Sequence, residues 1–163
     1  MKDSFGATYY LGTGLLFISL FASLLSISLS YTKAFRIKNA IVSYIEKNDG
    51  CLNESSELRE RISSYVNENN YLVTNVVEET VGTVMLRPNG STFVIDNGGC
   101  YDRGYCIYYY KSNDYSSNDY EYKGGYYKVV TYMQVTFPFF NLDVKVPVTG
   151  ETRLLSERNG HCY

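Results

Sequence analysis

The chain has 163 residues, 15 Lys and Arg against 17 Asp and Glu, and a formal net charge of −2. That length allows one small domain beside a single membrane segment. From Cys51 onward 10 Lys/Arg stand against 14 Asp/Glu with no basic block, which argues against a nucleic-acid partner.

Ser4 to Thr32 carry no charge, and within them Leu11–Leu29 is almost purely apolar. Nineteen helical residues rise roughly 28 Å, about the thickness of a bilayer's hydrocarbon core. A cleaved secretory signal is the rival reading. Signal h-regions are shorter and end in a small-x-small site, whereas this run has hardly any basic n-region before it and continues into Tyr31-Thr32-Lys33-Ala34-Phe35. The expectation is a retained single-pass anchor, with residues 1–6 as a short leader and 7–32 as the membrane helix.

The basic residues Lys33, Arg36 and Lys38 follow the span directly, and the positive-inside rule alone would place the remainder in the cytoplasm. The cysteines and the tyrosine-rich strands favour export, and an extracytoplasmic C-terminal domain is the reading adopted.

Ile37, Ala40, Ile41, Tyr44 and Ile45 fall on one helical stripe, opposed by Lys38, Asn39, Ser43, Glu46 and Lys47. No Pro or Gly interrupts Leu15 to Asp49, so one helix is expected from about Ala7 to Lys47, residues 33–50 forming an amphipathic extension. Residues 51–163 then form the exported domain. Within it a second helix is expected over Ser55–Asn69, capped by Asn53 or Ser55 and burying Leu58, Ile62, Tyr65 and Val66.

Beyond Tyr71 the pattern changes to strand. Tyr71–Glu78 and Thr80–Leu86 are rich in β-branched residues; Arg87–Gly90 reads as a turn before Ser91–Ile95, and Asp96-Asn97-Gly98-Gly99 as another. Tyr105–Tyr110 and Tyr126–Phe137 are the strongest strand candidates. The tandem Ser112-Asn113-Asp114-Tyr115 and Ser117-Asn118-Asp119-Tyr120 between them is a turn-forming loop. Pro138–Leu142 leads to a strand at Asp143–Val148, and a short strand is expected at Thr152–Leu155. Successive strands with short links imply an antiparallel sheet, its apolar face covered by the amphipathic half of the first helix. The fold class is α+β.

Cys51, Cys100, Cys106 and Cys162 all lie beyond the span, an even number that reads as two disulfides in an exported domain. Free buried thiols and a metal are the alternatives. No Cys-x-x-Cys is present and His161 is the one histidine, so zinc has little to bind it. A Cys100–Cys106 bridge would staple the turn at Tyr101–Tyr105 and leave Cys51 and Cys162 to pair. Four cysteines allow three connectivities, and spacing does not choose among them.

Gly12, Ser19, Ser23, Ser26 and Ser30 align along the membrane helix, and small residues on one face let helix backbones approach closely in lipid. Chance alignment is the alternative; the register holds over five positions, and a helix-packing role is the reading adopted. Eleven tyrosines fall between Tyr101 and Tyr132. Solvent-facing tyrosines could hold a sugar or a protein, with Tyr115 and Tyr120 the candidate contacts; tyrosines of half-buried strands are the preferred explanation. No Ser/His/Asp or Cys/His set and no phosphate-cradling loop is present, so neither catalysis nor a cofactor is expected.

A leader ending in Gly6-Ala7, an uncharged helix, its amphipathic continuation and a small antiparallel sheet with paired cysteines together resemble type IV pilin-like proteins. More narrowly, the chain is similar to the TadE-like pseudopilins of tight-adherence (Tad) systems. The resemblance is carried by Gly6-Ala7-Thr8 and by Tyr127-Lys128-Val129-Val130-Thr131-Tyr132, Phe137-Pro138 and Val148-Thr149-Gly150-Glu151-Thr152-Arg153. It implies a pilin-like fold, candidate leader cleavage between Gly6 and Ala7, and partners among other pilin-like subunits or assembly-platform proteins. Pilins usually carry a glutamate at the fifth position of the mature helix; here that position would be Leu11, and the helix holds no acid before Glu46. The alternative function is a single-pass surface module that binds or adheres through a tyrosine-rich face.

Overall fold

The computed structural model describes residues 2–48, 56–79, 82–86, 92–112, 125–137 and 142–155. It is an α+β arrangement: a long N-terminal helix, α1 (Lys2–Lys47), and a shorter one, α2 (Ser56–Glu68), lie against a five-stranded antiparallel sheet. The strands are β1 (Val84–Leu86), β2 (Thr92–Tyr101), β3 (Tyr105–Ser112), β4 (Gly125–Phe137) and β5 (Leu142–Glu151), in the spatial order β1-β2-β3-β4-β5.

The expected amphipathic stripe is the one that docks. Ala34, Ile37, Ile41 and Ile45 are fully buried, while Ala40 and Tyr44 are half-buried at its margin. Thr131 of β4 donates its hydroxyl to the Ala34 carbonyl at 3.0 Å, and Glu46 accepts the Arg153 N–H at 2.8 Å. These two contacts fix α1 antiparallel to β4. Leu58, Ile62 and Val66 of α2 complete the cover, with Tyr65 edge-on to Tyr44.

Helix α2 ends in a Schellman cap. Asn70 is left-handed at φ 48°, the Tyr71 N–H reaches Val66 O, and the Asn70 N–H reaches Asn67 O. Lys33 of α1 donates to the Asn70 carbonyl at 2.6 Å, adding a cation at the helix C-terminus.

Several elements differ from the sequence expectation. Helix α1 starts at Lys2 and runs through Gly6-Ala7 without a break. Residues 71–79 are not a strand but an irregular strap across the face of the sheet opposite α1. Asn75 takes a positive φ of 54°, and two of the three valines pack onto the sheet instead of pairing: Val73 is buried and Val76 half-buried, while Val77 is exposed. Asp96–Gly99 is not a turn. It lies within β2, where the register against β3 shifts between Ile95 and Asn97 and the glycine-rich stretch passes close over Tyr108. Of the strand expected at Thr80–Leu86, Thr80 and Val81 lie outside the described residues and Val84–Leu86 is strand, while Thr152–Leu155 is reduced to a single bridge between Leu155 and Gly125. The expected turn at 87–90 and most of the tandem loop at 112–120 lie outside the described residues.

The β2–β3 link does fall at 102–104. Gly104 holds φ 78° there, and a Cβ on it would meet the Val73 carbonyl oxygen at 1.9 Å, so glycine lets the strap close over the turn. β3 stops pairing at Tyr105 opposite Thr131, whereas β4 and β5 stay paired to Phe137 and Leu142. A two-stranded ribbon therefore projects past the sheet.

Candidate functional site

Two surfaces stand out from the packed domain: the bare half of α1 and the tyrosine-lined sheet. The first is long and apolar enough to cross a membrane, and none of its apolar window is buried. Tyr9 and Tyr10 stand exposed near one end of the apolar run and Tyr31 near the other. From Tyr10 to Tyr31 the helix rises about 31 Å, a hydrocarbon thickness bracketed by aromatic rings. Three hydroxyls along this stretch are satisfied locally: Thr13, Ser23 and Thr32 each donate to the carbonyl four residues back, at 2.8–2.9 Å.

The small-residue stripe has a definite place. Ser19, Ser23 and Ser30 are half-buried and lie in line with Ala34, Ile37, Ile41 and Ile45, so one helix face runs from small residues into the domain core. Gly12, exposed, continues that line toward the N-terminus; Ser26 is exposed to its side. Gly6 is half-buried inside α1.

Beyond Tyr31, Lys33 and Lys38 both engage their surroundings. Lys33 caps α2, and Lys38 sits over the Phe35 ring at 4.3 Å, with its side chain passing beside Gly150. Tyr31 and Phe35 stack with ring centroids 5.9 Å apart. Arg36 is exposed on the same turn.

Cys100 and Cys106 face each other across β2 and β3 and are joined by a disulfide, stapling the hairpin whose turn they flank. Cys51 and Cys162 lie outside the described residues, as do Tyr115 and Tyr120.

The strand tyrosines are chiefly core. Tyr105, Tyr108, Tyr110, Tyr126, Tyr127 and Tyr132 are buried, and cross-strand rings stack, Tyr110 on Tyr126 at 5.0 Å and Tyr101 on Tyr105 at 4.8 Å. What solvent reaches is a cleft of about 240 Å³ on the helix side, lined by Arg59 of α2, Asn97 and Tyr101 of β2, Tyr109 of β3 and Tyr127 of β4. A second cleft, about 300 Å³, opens between the strap and β4–β5 beside Val77, Tyr132 and Lys145.

A polar cluster pins the strap, and the sequence reading missed it. Glu79 receives Lys128 Nζ on one carboxylate oxygen at 2.6 Å and the Tyr110 hydroxyl on the other at 2.7 Å. Its own N–H donates to the Tyr108 hydroxyl at 2.7 Å. Burial alone would raise the Glu79 carboxyl, but the Lys128 and Tyr110 hydrogen bonds outweigh it and hold the group below its usual range. Burial pushes the Tyr110 hydroxyl up, and the neighbouring Glu79 charge adds to the shift. Glu78 accepts the Cys100 N–H at 3.1 Å, and Lys145 donates to the Thr74 carbonyl. The signals available were Glu78-Glu79, the one adjacent acid pair, and Lys128 within an otherwise uncharged strand.

Compared with protein-family models, curated proteins and solved structures, the chain matches none.

Proposed function

We propose that the chain is a membrane-anchored, pilin-like subunit, similar to TadE-like pseudopilins, that acts in assembling a surface pilus or secretion filament. The observation that carries this reading is the continuous face of α1. Where the domain ends, the face that packs on β4 continues through Ser30, Ile27, Ser23, Ser19 and Gly12, and its small residues are of the kind that lets a second helix approach closely in lipid. The same face thus serves the domain core below and a neighbouring subunit above.

Three further features support an anchored, exported domain. The aromatic rings of Tyr10 and Tyr31 are spaced for a bilayer. The Cys100–Cys106 disulfide suits an oxidising compartment. Lys33 and Lys38, which by charge alone would favour the cytoplasmic side, both have work within the fold. The uninterrupted helix at Gly6-Ala7 and the absence of an acid between Asp3 and Glu46 favour a subunit that acts in assembly over one buried in a filament core.

The second reading is a surface-anchored binding module. It is favoured by the cleft where Tyr101, Tyr109 and Tyr127 stand beside Arg59 and Asn97, a lining suited to a polar ring-shaped ligand.

Crosslinking in membranes separates the two. Replacing Ser23 and Ser30 with Leu keeps α1 apolar but holds neighbouring helices apart, so crosslinked partners should fall severalfold, interhelical contacts of this kind being worth about 0.6–2 kcal/mol each. Phe17→Leu and Phe21→Leu, on other faces, should leave crosslinking near wild type. Unchanged crosslinking in the Ser23→Leu, Ser30→Leu variant would reduce α1 to an anchor and put the binding module first.

A further inference from the structure

The end of the domain that faces the lipid half of α1 is closed by the chain that leads from α2 into the strap. Lys33 donates to the Asn70 carbonyl at 2.6 Å. Tyr31 lies only two residues before Lys33, about 3 Å along the helix. The β2–β3 turn at 102–104 belongs to the same end. β3 begins at Tyr105 opposite Thr131, and the Thr131 hydroxyl bonds the Ala34 carbonyl. Because β4 runs antiparallel to α1, the residues that precede β3 lie past Ala34 on the Tyr31 side.

Leu72 sits where the chain crosses this end. On either side of it the Val73 N–H donates to the Arg103 carbonyl at 3.1 Å, and the Tyr71 hydroxyl lies 3.1 Å from the Gly104 carbonyl oxygen. Tyr71 and Val73 are only 3% and 4% exposed, whereas Leu72 between them is 55% exposed. An apolar side chain is thus turned away from the core at the end of the domain nearest the span.

A lone exposed leucine needs no explanation on an ordinary surface. Leu72 is set apart by its company. Lys33, Arg36 and Arg103 stand at this end against Asp102 and Glu68, and Glu68 is turned back to the Ser64 hydroxyl at 3.4 Å. Arg36, exposed, and Arg103, half-buried, make no ion pair among the described residues. Guanidinium groups pair well with phosphate oxygens, and their long stems let them reach along an apolar boundary to do so. Cations around a projecting apolar side chain, at the level of an aromatic collar, match the layered chemistry of a phospholipid surface.

We propose that this end of the domain is seated on the phospholipid headgroups, with Leu72 entering the lipid interface and Arg36 and Arg103 facing the phosphates. The inference rests on reading α1 as a membrane span. The domain then meets the bilayer at two places, α1 and Leu72, tied together by the bond from Lys33 to Asn70.

The chain has no tryptophan, so a single introduced Trp reports its own surroundings. The full chain carrying Leu72→Trp, Leu25→Trp or Leu154→Trp is reconstituted in phosphatidylcholine vesicles, with or without bromine at the top of the acyl chains. Leu154 is the matched control. It is 63% exposed, and the neighbouring Arg153 N–H bonds Glu46 at the opposite end of the domain. Bromination should lower the emission at position 72 about twofold or more, as for a ring at the interface, and leave position 154 unchanged. Asp102→Trp, on the adjoining turn, takes the place of Leu72→Trp if that variant melts below wild type. Adding Arg36→Gln and Arg103→Gln to Leu72→Trp should weaken the quenching; unchanged quenching there would overturn the phosphate contacts. Position 72 unquenched beside a quenched Leu25→Trp, or quenching equal at 72 and 154, would overturn the headgroup seat while leaving the span intact. An unquenched Leu25→Trp would instead overturn the span, and this inference with it.

Discussion

The hydroxyl of Tyr71 accepts the N–H of Tyr132 at 2.7 Å and lies 3.1 Å from both the Tyr132 and the Gly104 carbonyl oxygens. Tyr132 is the first residue of β4 beyond the end of β3, so its backbone groups would otherwise be buried without a strand to pair with. One side chain from the strap stands in for the missing strand. It does so where the ribbon leaves the sheet. Burial pushes the Tyr71 hydroxyl up to about 12, which keeps it protonated as a donor at any physiological pH.

Tyr71→Phe should therefore be costly despite preserving the ring. It leaves the buried N–H of Tyr132 without its acceptor, a loss of about 1–3 kcal/mol. Denaturant unfolding of the full chain in micelles should show a lower midpoint at an unchanged slope; a midpoint equal to wild type would mean water replaces the hydroxyl.

The same geometry explains how the open edge of β5 is protected. With the Tyr132 backbone turned toward Tyr71, the pair Tyr132–Pro147 is of the non-hydrogen-bonded kind, and the missing N–H of Pro147 falls on the outer edge. Lys145 and Glu151 flank it with charge, which discourages edge-to-edge association.

Stability should carry an acid limb set by Glu79. Its carboxyl titrates lower in the fold than in the unfolded chain, so its contribution is complete above the ordinary carboxylate range and is lost as pH falls through the depressed folded value. Glu79→Gln should flatten that limb and lower stability at neutral pH by roughly 2 kcal/mol, since Lys128 is left buried without its counter-charge while the carboxylate itself is a third open to solvent. Thermal unfolding across the acid range checks both; an unchanged acid limb in Glu79→Gln would assign it to other carboxylates.

Removing the Cys100–Cys106 bridge should destabilise the domain without unfolding it. The loop it closes spans a sequence separation of 6, for which chain entropy supplies only about 2 kcal/mol. A Cys100→Ala, Cys106→Ala variant should melt lower than wild type. Without reduction, neither thiol should react with maleimide in native protein; ready labelling of both would place the domain in a reducing compartment.

Much of the fold was legible because periodicity and burial agree. Ile37, Ile41 and Ile45 are apolar at helical spacing and are the residues that pack on β4; Leu58, Ile62 and Val66 behave alike in α2. The strap was misread for a physical reason. Val73, Val76 and Val77 suit a sheet surface whether a chain pairs beside it or crosses over it, and β-propensity does not distinguish the two. Asp96–Gly99 misled in a similar way, since turn residues also serve a bulge inside a strand. The Glu79–Lys128–Tyr110 cluster joins residues 49 and 31 positions apart, and no local pattern marks such a meeting. The helix stripe was visible, but its alignment with the docking face emerges only once Ala34 is seen beneath Thr131.

The central claim is that α1 is retained as the anchor of the domain. Intact-mass analysis of protein that remains in carbonate-washed membranes tests it most directly. Either the full chain or loss of Met1–Gly6 alone is expected. A mature protein beginning at residue 31 or later, or one released by the wash, would contradict it.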